Sequence, residues 1–274
     1  MLNLFVKSYA SILILNLVCI IMLESCSPKF TSTIMQMNNP ANLKNSCKWD
    51  SLATANITLY YYSGLSRKTV SNLLQKQIQG QDTLLNIMNI SKPDSDSKIY
   101  FWMFKSQKDK YKYTQVSSNA HSIQDYNSIY CTYNNATSWH ELSHILSQKY
   151  WGLIPKTSTY YTLVNEGWAY LADENNFFKF SYYKKAKELM NKNPGLDLSL
   201  VVSNGKQYSR LVQEKSLLSA AFLKYLIQKY GIDSFAEFWK QLSSNDSAFQ
   251  LIYGESFDAL EDDFKVFLAN WELK

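Results

Sequence analysis

The sequence predicts an α+β fold: an N-terminal strand-helix-strand mixed sheet packed on one central helix, followed by a helical C-terminal half. Three observations carry this expectation. Runs rich in β-branched and aromatic residues stand at Asn56–Tyr62 (NITLYYY), Lys98–Phe104 (KIYFWMF) and, more briefly, Ser128–Cys131, and each reads as a strand. Between the first two, Ser66 to Ile90 places Val70, Leu73, Leu74, Ile78, Leu84, Leu85 and Ile87 at mostly helical spacing, with a weak point at Gly80. From about Thr137 onward nearly every segment has a helical period.

Composition narrows the class. The 274 residues are 46% hydrophobic and 19% charged, which excludes a mainly disordered chain and a polytopic membrane protein. Eight glycines and five prolines exclude collagen-like and Pro-rich architectures. The net charge of +5 comes from lysine, since Arg67 and Arg210 are the two arginines. No dense basic run or nucleic-acid-binding motif accompanies it, so nucleic acid is not expected as a partner.

The first 25 residues read as an export signal rather than as part of the fold. Lys7 gives a positive start, Ser8 to Leu23 is charge-free and apolar, and Leu23-Glu24-Ser25-Cys26 follows. This resembles a bacterial lipoprotein signal, with Cys26 as the lipidated first residue after cleavage; Glu24 departs from the usual small or apolar residue. An ordinary secretory signal and an uncleaved anchor are the alternatives, and all three take the chain out of the cytoplasm. The expectation is a membrane-anchored lipoprotein on the periplasmic or cell-surface side. Residues 26–48 read as a flexible tether, being polar and without sustained period. Residues 49–274 then form the domain, mixed α/β over 49–136 and mainly helical over 137–274. Cys47 and Cys131 remain as either one disulfide or two buried thiols.

Chemistry concentrates in TSWHELSHILSQKY, residues 137–150. On a helix, His140 and His144 lie on one face and can offer two imidazoles to one ion, with Glu141 beside them as a base that need not ligate. Zinc then requires a third protein ligand and an open position. The chain has three histidines, and chance would place two of them in HExxH in about one such chain in a thousand. Ser138-x-x-Glu141 also fits a capping box, which would account for Glu141 but not for the histidines.

The pair HELSH and, downstream, Asn165-Glu-Gly-Trp-Ala169 resembles the gluzincin metallopeptidases of the peptidase MA-like type. That resemblance implies a zincin-like fold, Zn2+ as cofactor, Glu166 as the third ligand, and a peptide or protein as substrate. It also implies that Glu141 acts as general base on zinc-bound water, and that a tyrosine or histidine stabilises the oxyanion, for which Tyr208 is the candidate. The helix ending Tyr230-Gly231 and the segments at 248–254 and 260–264 extend the likeness to the C-terminus. Two departures stand out. Tyr170 occupies the place where many gluzincins carry an acidic residue, with Asp173 and Glu174 one turn further on. Nothing between Lys98 and Ser138 resembles the GxMEN segment of the aminopeptidases, so an endopeptidase is expected.

His121, in a polar stretch, reads as solvated. Trp139, Trp151, Tyr160, Tyr161 and Trp168 read as core packing around crossing helices rather than as a substrate groove. The competing function is a non-catalytic protein- or glycan-binding lipoprotein on the same fold, with zinc structural or absent. A structural site would need a fourth ligand, for which Cys131 and Cys47 are the candidates.

Overall fold

A computed structural model describes residues 38–46, 48–91, 98–136, 138–173, 181–193, 195–203, 212–242 and 247–272. Five strands build one sheet: β1 (Trp49–Ala53), β2 (Ile57–Tyr62), β3 (Ile99–Phe104), β4 (Ala120–Ile123) and β5 (Ser128–Thr132), in the order β1-β2-β3-β5-β4. The three inner strands run parallel and both edges run antiparallel, so the sheet is mixed.

Pleat alternation divides the sheet's side chains between two layers. Ile57, Leu59, Phe101, Met103, Ile129 and Cys131 enter the main core, whereas Trp102, Phe104 and Tyr130 enter a smaller one. The main core is roofed by two helices, α2 (Arg67–Ile87) and α4 (His140–Trp151). The smaller core takes Leu43 from α1 (Pro40–Ser46) and is flanked by Tyr113 of α3 (Gln107–Thr114).

The helix α2 starts where Ser66 Oγ accepts from the Thr69 amide at 3.2 Å, an N-cap that supplies one of the turn's missing acceptors. Gly80, read as a weak point in this helix, is a contact. A Cβ there would stand 2.5 Å from Nε1 of Trp139, and that indole donates to the Lys76 carbonyl at 3.2 Å. The missing side chain lets Trp139, next to the start of α4, lie directly on α2.

The strands expected at 56–62, 98–104 and 128–131 are present as β2, β3 and β5. The edge strands β1 and β4 were not foreseen. The expected tether also ends earlier than position 48. Pro40–Ser46 is helical, Asn38 and Leu43 are buried, and Trp49 Nε1 donates to the Leu43 carbonyl at 2.9 Å, so 38–46 belong to the folded unit. The signal segment, Cys26, Cys47, Glu174 and Tyr208 lie outside the described residues. Among the described residues no helix is long and apolar enough to cross a membrane.

The back half is helical as expected: α5 (Gly167–Ala172), α6 (Ser181–Lys192), α7 (Leu198–Ser203), α8 (Val212–Tyr230), α9 (Ile232–Leu242), α10 (Ala248–Tyr253) and α11 (Phe257–Asn270). Its interior is aromatic. Trp151 packs against Trp168, Phe235 and Trp239, with ring centroids 4.9, 5.6 and 5.5 Å away. Phe222, Phe235 and Phe238 are fully buried, each contributing about 2 kcal/mol of transfer free energy. Trp139, Trp151 and Trp168 are core residues, and Tyr160 packs on Phe249 and Phe257, as expected for packing rather than a groove. Tyr161 differs, being half-buried beside the site described next.

Candidate metal centre

His140 and His144 open the helix α4 one turn apart. Their rings meet edge-on, with centroids 4.9 Å apart and planes at 88°. Glu166 approaches from the segment that leads into α5, its two carboxylate oxygens standing 3.5 Å from His140 Nε2 and 3.7 Å from His144 Nε2. One ligand atom from each of the three lies within 4.8 Å of the others, a spacing that could hold a metal ion. Two imidazole nitrogens and one carboxylate oxygen make a donor set suited to zinc. The His144 side chain is 7% exposed, while those of His140 and Glu166 are 28% and 35% exposed, so the group has a solvent side.

Local structure fixes each ligand. The residues Thr162–Glu166 form a π turn before α5, and Gly167 sits where a Cβ would meet Ser219 Cβ of α8 at 2.8 Å. Asn165 Nδ2 donates to Glu166 Oε1 at 3.3 Å and to the Tyr161 hydroxyl at 3.3 Å, steadying the carboxylate from its own turn. The start of α4 is capped from α5: Asp173 Oδ1 accepts from the Trp139 amide at 2.7 Å and from Ser138 Oγ at 2.9 Å. Ser138 Oγ in turn accepts from the His140 amide at 3.2 Å. A carboxylate at a helix N-terminus also meets the favourable end of the helix dipole. Thus Asp173, just past the end of the ligand-bearing helix, ties α5 to the helix carrying both histidines.

The same contacts remove the capping-box reading of Glu141. Its Oε2 accepts from Ser122 Oγ of β4 at 2.8 Å, and Asp173 does the capping, so Glu141 is not spent on a capping box.

The charges within the group support one another. Burial alone would raise the Glu166 carboxyl, yet the hydrogen bond to His140 and the neighbouring His144 hold it at about 2. His140 is moved the other way: burial would lower it, and Glu166 together with Glu141 raises it. Burial dominates at His144 and lowers it, which favours the neutral imidazole that a metal requires. Among the described residues His144 Nδ1 is buried with no hydrogen-bond partner. Tyr170, standing where an acidic residue was looked for, is part-buried, and Asp173 serves the helix start rather than a ligand histidine.

No fourth histidine, cysteine, aspartate or glutamate joins the group among the described residues. Cys131 is a free, buried thiol pushed up to about 12, first by burial and then by Glu141. Among the described residues it joins neither the His140, His144 and Glu166 group nor a disulfide. His121 corrects the expectation of a solvated loop residue. It lies in β4, stacks on Tyr130 with centroids 4.8 Å apart, and places Nε2 3.2 Å from Asn38 Oδ1. Burial and the nearby Lys110 charge bring it down to about 3.

Sequence reasoning missed Ser122 and the capping role of Asp173. No local motif marks either, because both act across the fold. Comparison with protein-family models gives no match, and comparison with curated proteins gives none.

Proposed function

We propose that the chain is a zinc-dependent metallopeptidase of the gluzincin, peptidase MA-like type, with a zincin-like fold. It cleaves internal peptide bonds of a peptide or protein outside the cytoplasm, held at a membrane by a lipid on Cys26. One observation supports this above the others: His140, His144 and Glu166 converge within 4.8 Å while Glu141, the residue between the two histidines' turns, is left out of both the ligand set and the helix cap. A site serving structure alone has no use for such a carboxylate and needs a fourth protein ligand.

His140, His144 and Glu166 would hold the ion, with His144 as its buried wall. When bound, zinc supplies a Lewis acid that polarises a carbonyl and makes water acidic near neutral pH. Glu141 takes a proton from the attacking water onto a carboxylate oxygen and delivers it to the nitrogen of the departing amine. Asn165 and Tyr161 keep the Glu166 carboxylate facing the histidines through that exchange.

Elemental analysis of the full chain, purified without chelator, is the first test. About one zinc per chain is expected, and Glu166→Ala should lose it. Glu141→Gln should keep the zinc and lose hydrolysis of a fluorogenic denatured-protein substrate by about 10²–10⁴-fold. A chain that stays metal-free when zinc is offered, or a Glu141→Gln variant with full turnover, would overturn the reading.

A further inference from the structure

The strand β4 is the free edge of the sheet beside α4. Its alternation sends neighbouring side chains to opposite faces. His121 goes to the smaller core, against Tyr130 and Asn38. Ser122 goes to the α4 face and donates to Glu141 Oε2 at 2.8 Å. An edge strand of four residues has little of its own to fix its position, since among the described residues one side of its ladder has no partner strand.

The root of that strand is held in an unusual way. Lys110 of α3 is wholly buried, and its Nζ donates to the carbonyls of Ser118 at 2.9 Å and Val116 at 3.2 Å, both in the segment entering β4. Burying an ammonium is costly unless its donors are satisfied and an opposite charge is near. No carboxylate lies within ion-pair distance of it among the described residues, and the acid that acts on it through space is Glu141. One lysine therefore anchors the loop before β4, and the Glu141 charge acts on it through space. Ala120 also accepts a local bond, from Ser118 Oγ, which tightens the same turn.

We propose that Ser122 is the positioning residue of the Glu141 carboxylate, fixed in place by the Lys110 clamp at the root of β4. With Oε2 engaged by the Ser122 hydroxyl, Oε1 is the oxygen presented for proton transfer. The proposal rests on the metallopeptidase reading, because it assigns a task to the base of that reaction. It adds a connection between the sheet and the chemistry that the ligand set alone does not contain.

The test is binding rather than turnover. Acetohydroxamate chelates a metal ion and needs a carboxylate beside it to accept its hydroxyl proton, so its affinity for the zinc-loaded full chain reports the aim of Glu141. Ser122→Ala should keep one zinc per chain and bind acetohydroxamate about tenfold more weakly, the loss expected for one hydrogen bond to a charged group. Ser122→Thr, which keeps the hydroxyl, should restore it. In a Glu141→Gln background, Ser122→Ala should change nothing further. Lys110→Met should weaken binding as Ser122→Ala does, and the two together should be no worse than either alone. A zinc-loaded Ser122→Ala variant with wild-type affinity overturns the proposal while leaving the metallopeptidase reading intact, as does an equal loss in the Glu141→Gln background. Independent losses from Lys110→Met and Ser122→Ala overturn the clamp. A wild-type chain that takes up no zinc overturns both readings together.

Discussion

The sheet half and the helical half solve the burial problem in opposite ways. The sheet half carries polar groups inside and ties several of them to backbone carbonyls distant in sequence. Gln77 donates to the Ala136 carbonyl at 2.6 Å, Asn38 to the Thr114 carbonyl at 3.1 Å, and Tyr130 to the Asn38 carbonyl. The helical half is filled with rings, as around Trp151 and around Phe249, which touches Phe222, Phe238 and Phe257. The candidate site lies on the seam. His140 and His144 ride on a helix packed by rings and Glu166 on the turn before another, while Glu141 is touched from the sheet by a hydroxyl. The His140, His144 and Glu166 group thus draws on ring packing together with the Asp173 and Asn165 hydrogen bonds, whereas Glu141 is reached from the sheet by a single hydroxyl.

That division can be broken from either side. The largest effect is expected from Gly167→Ala, on the packed side. Its new Cβ would stand 2.8 Å from Ser219 Cβ and 3.2 Å from the Ser219 carbonyl carbon, neither of which is the end of a flexible chain. A loss of about 2 kcal/mol in urea unfolding is expected, as for other overpacked contacts, with weaker zinc binding because Glu166 is the preceding residue. An unchanged unfolding midpoint would show that α5 and α8 can separate without cost.

A smaller effect is expected from Asp173→Ala, which removes the cap joining the two ligand helices. The expected loss is about 1 kcal/mol in a thermal melt, and Asp173→Asn, which keeps an acceptor, should recover part of it. Equal losses for both would mean that the charge at the helix start matters and the hydrogen bond does not.

The smallest effect at neutral pH belongs to His121→Phe, on the polar side. His121 sits at about 3 in the fold, against an ordinary value near 6.5, chiefly because it is buried. As pH falls below 6.5 the unfolded chain takes up this proton before the folded one does, so stability drops progressively down to about pH 3. The phenylalanine keeps a ring for Tyr130 to stack on and has nothing to protonate. Between pH 6.5 and 4.5 its unfolding midpoint should therefore fall less steeply than that of the wild type. Parallel slopes would place the acid sensitivity elsewhere.

What could be read from the sequence was what is local. The inner strands β2, β3 and β5 announce themselves by composition, α2 by period, and the two histidines by a spacing that any helix turns into a shared face. The edge strands are harder to see. Trp49–Ala53 and Ala120–Ile123 are short and half polar, as suits strands that have a partner on one side alone among the described residues. For the same reason His121 looked like a loop residue. Lys110, Ser122 and Asp173 carry no signal in their own neighbourhoods, since their meaning lies in contacts made 6 to 35 residues away. The helix at 40–46 was missed because Leu43 alone supplies its buried apolar contact, too little to set a period.

The π turn at Thr162–Glu166 has a consequence for how the third ligand is delivered. Such a turn accommodates one residue more than an α turn over the same stretch of axis, and so offsets everything after it by about 100° of rotation. Leu163, Val164 and Asn165 within the turn and Trp168, Leu171 and Ala172 after it are all buried, while Glu166, its last residue, is part-buried with both carboxylate oxygens toward the histidines. Deleting one residue from 162–165 is therefore expected to rotate this carboxylate by about 100° relative to the buried side chains before it, and so to turn it away from His140 and His144.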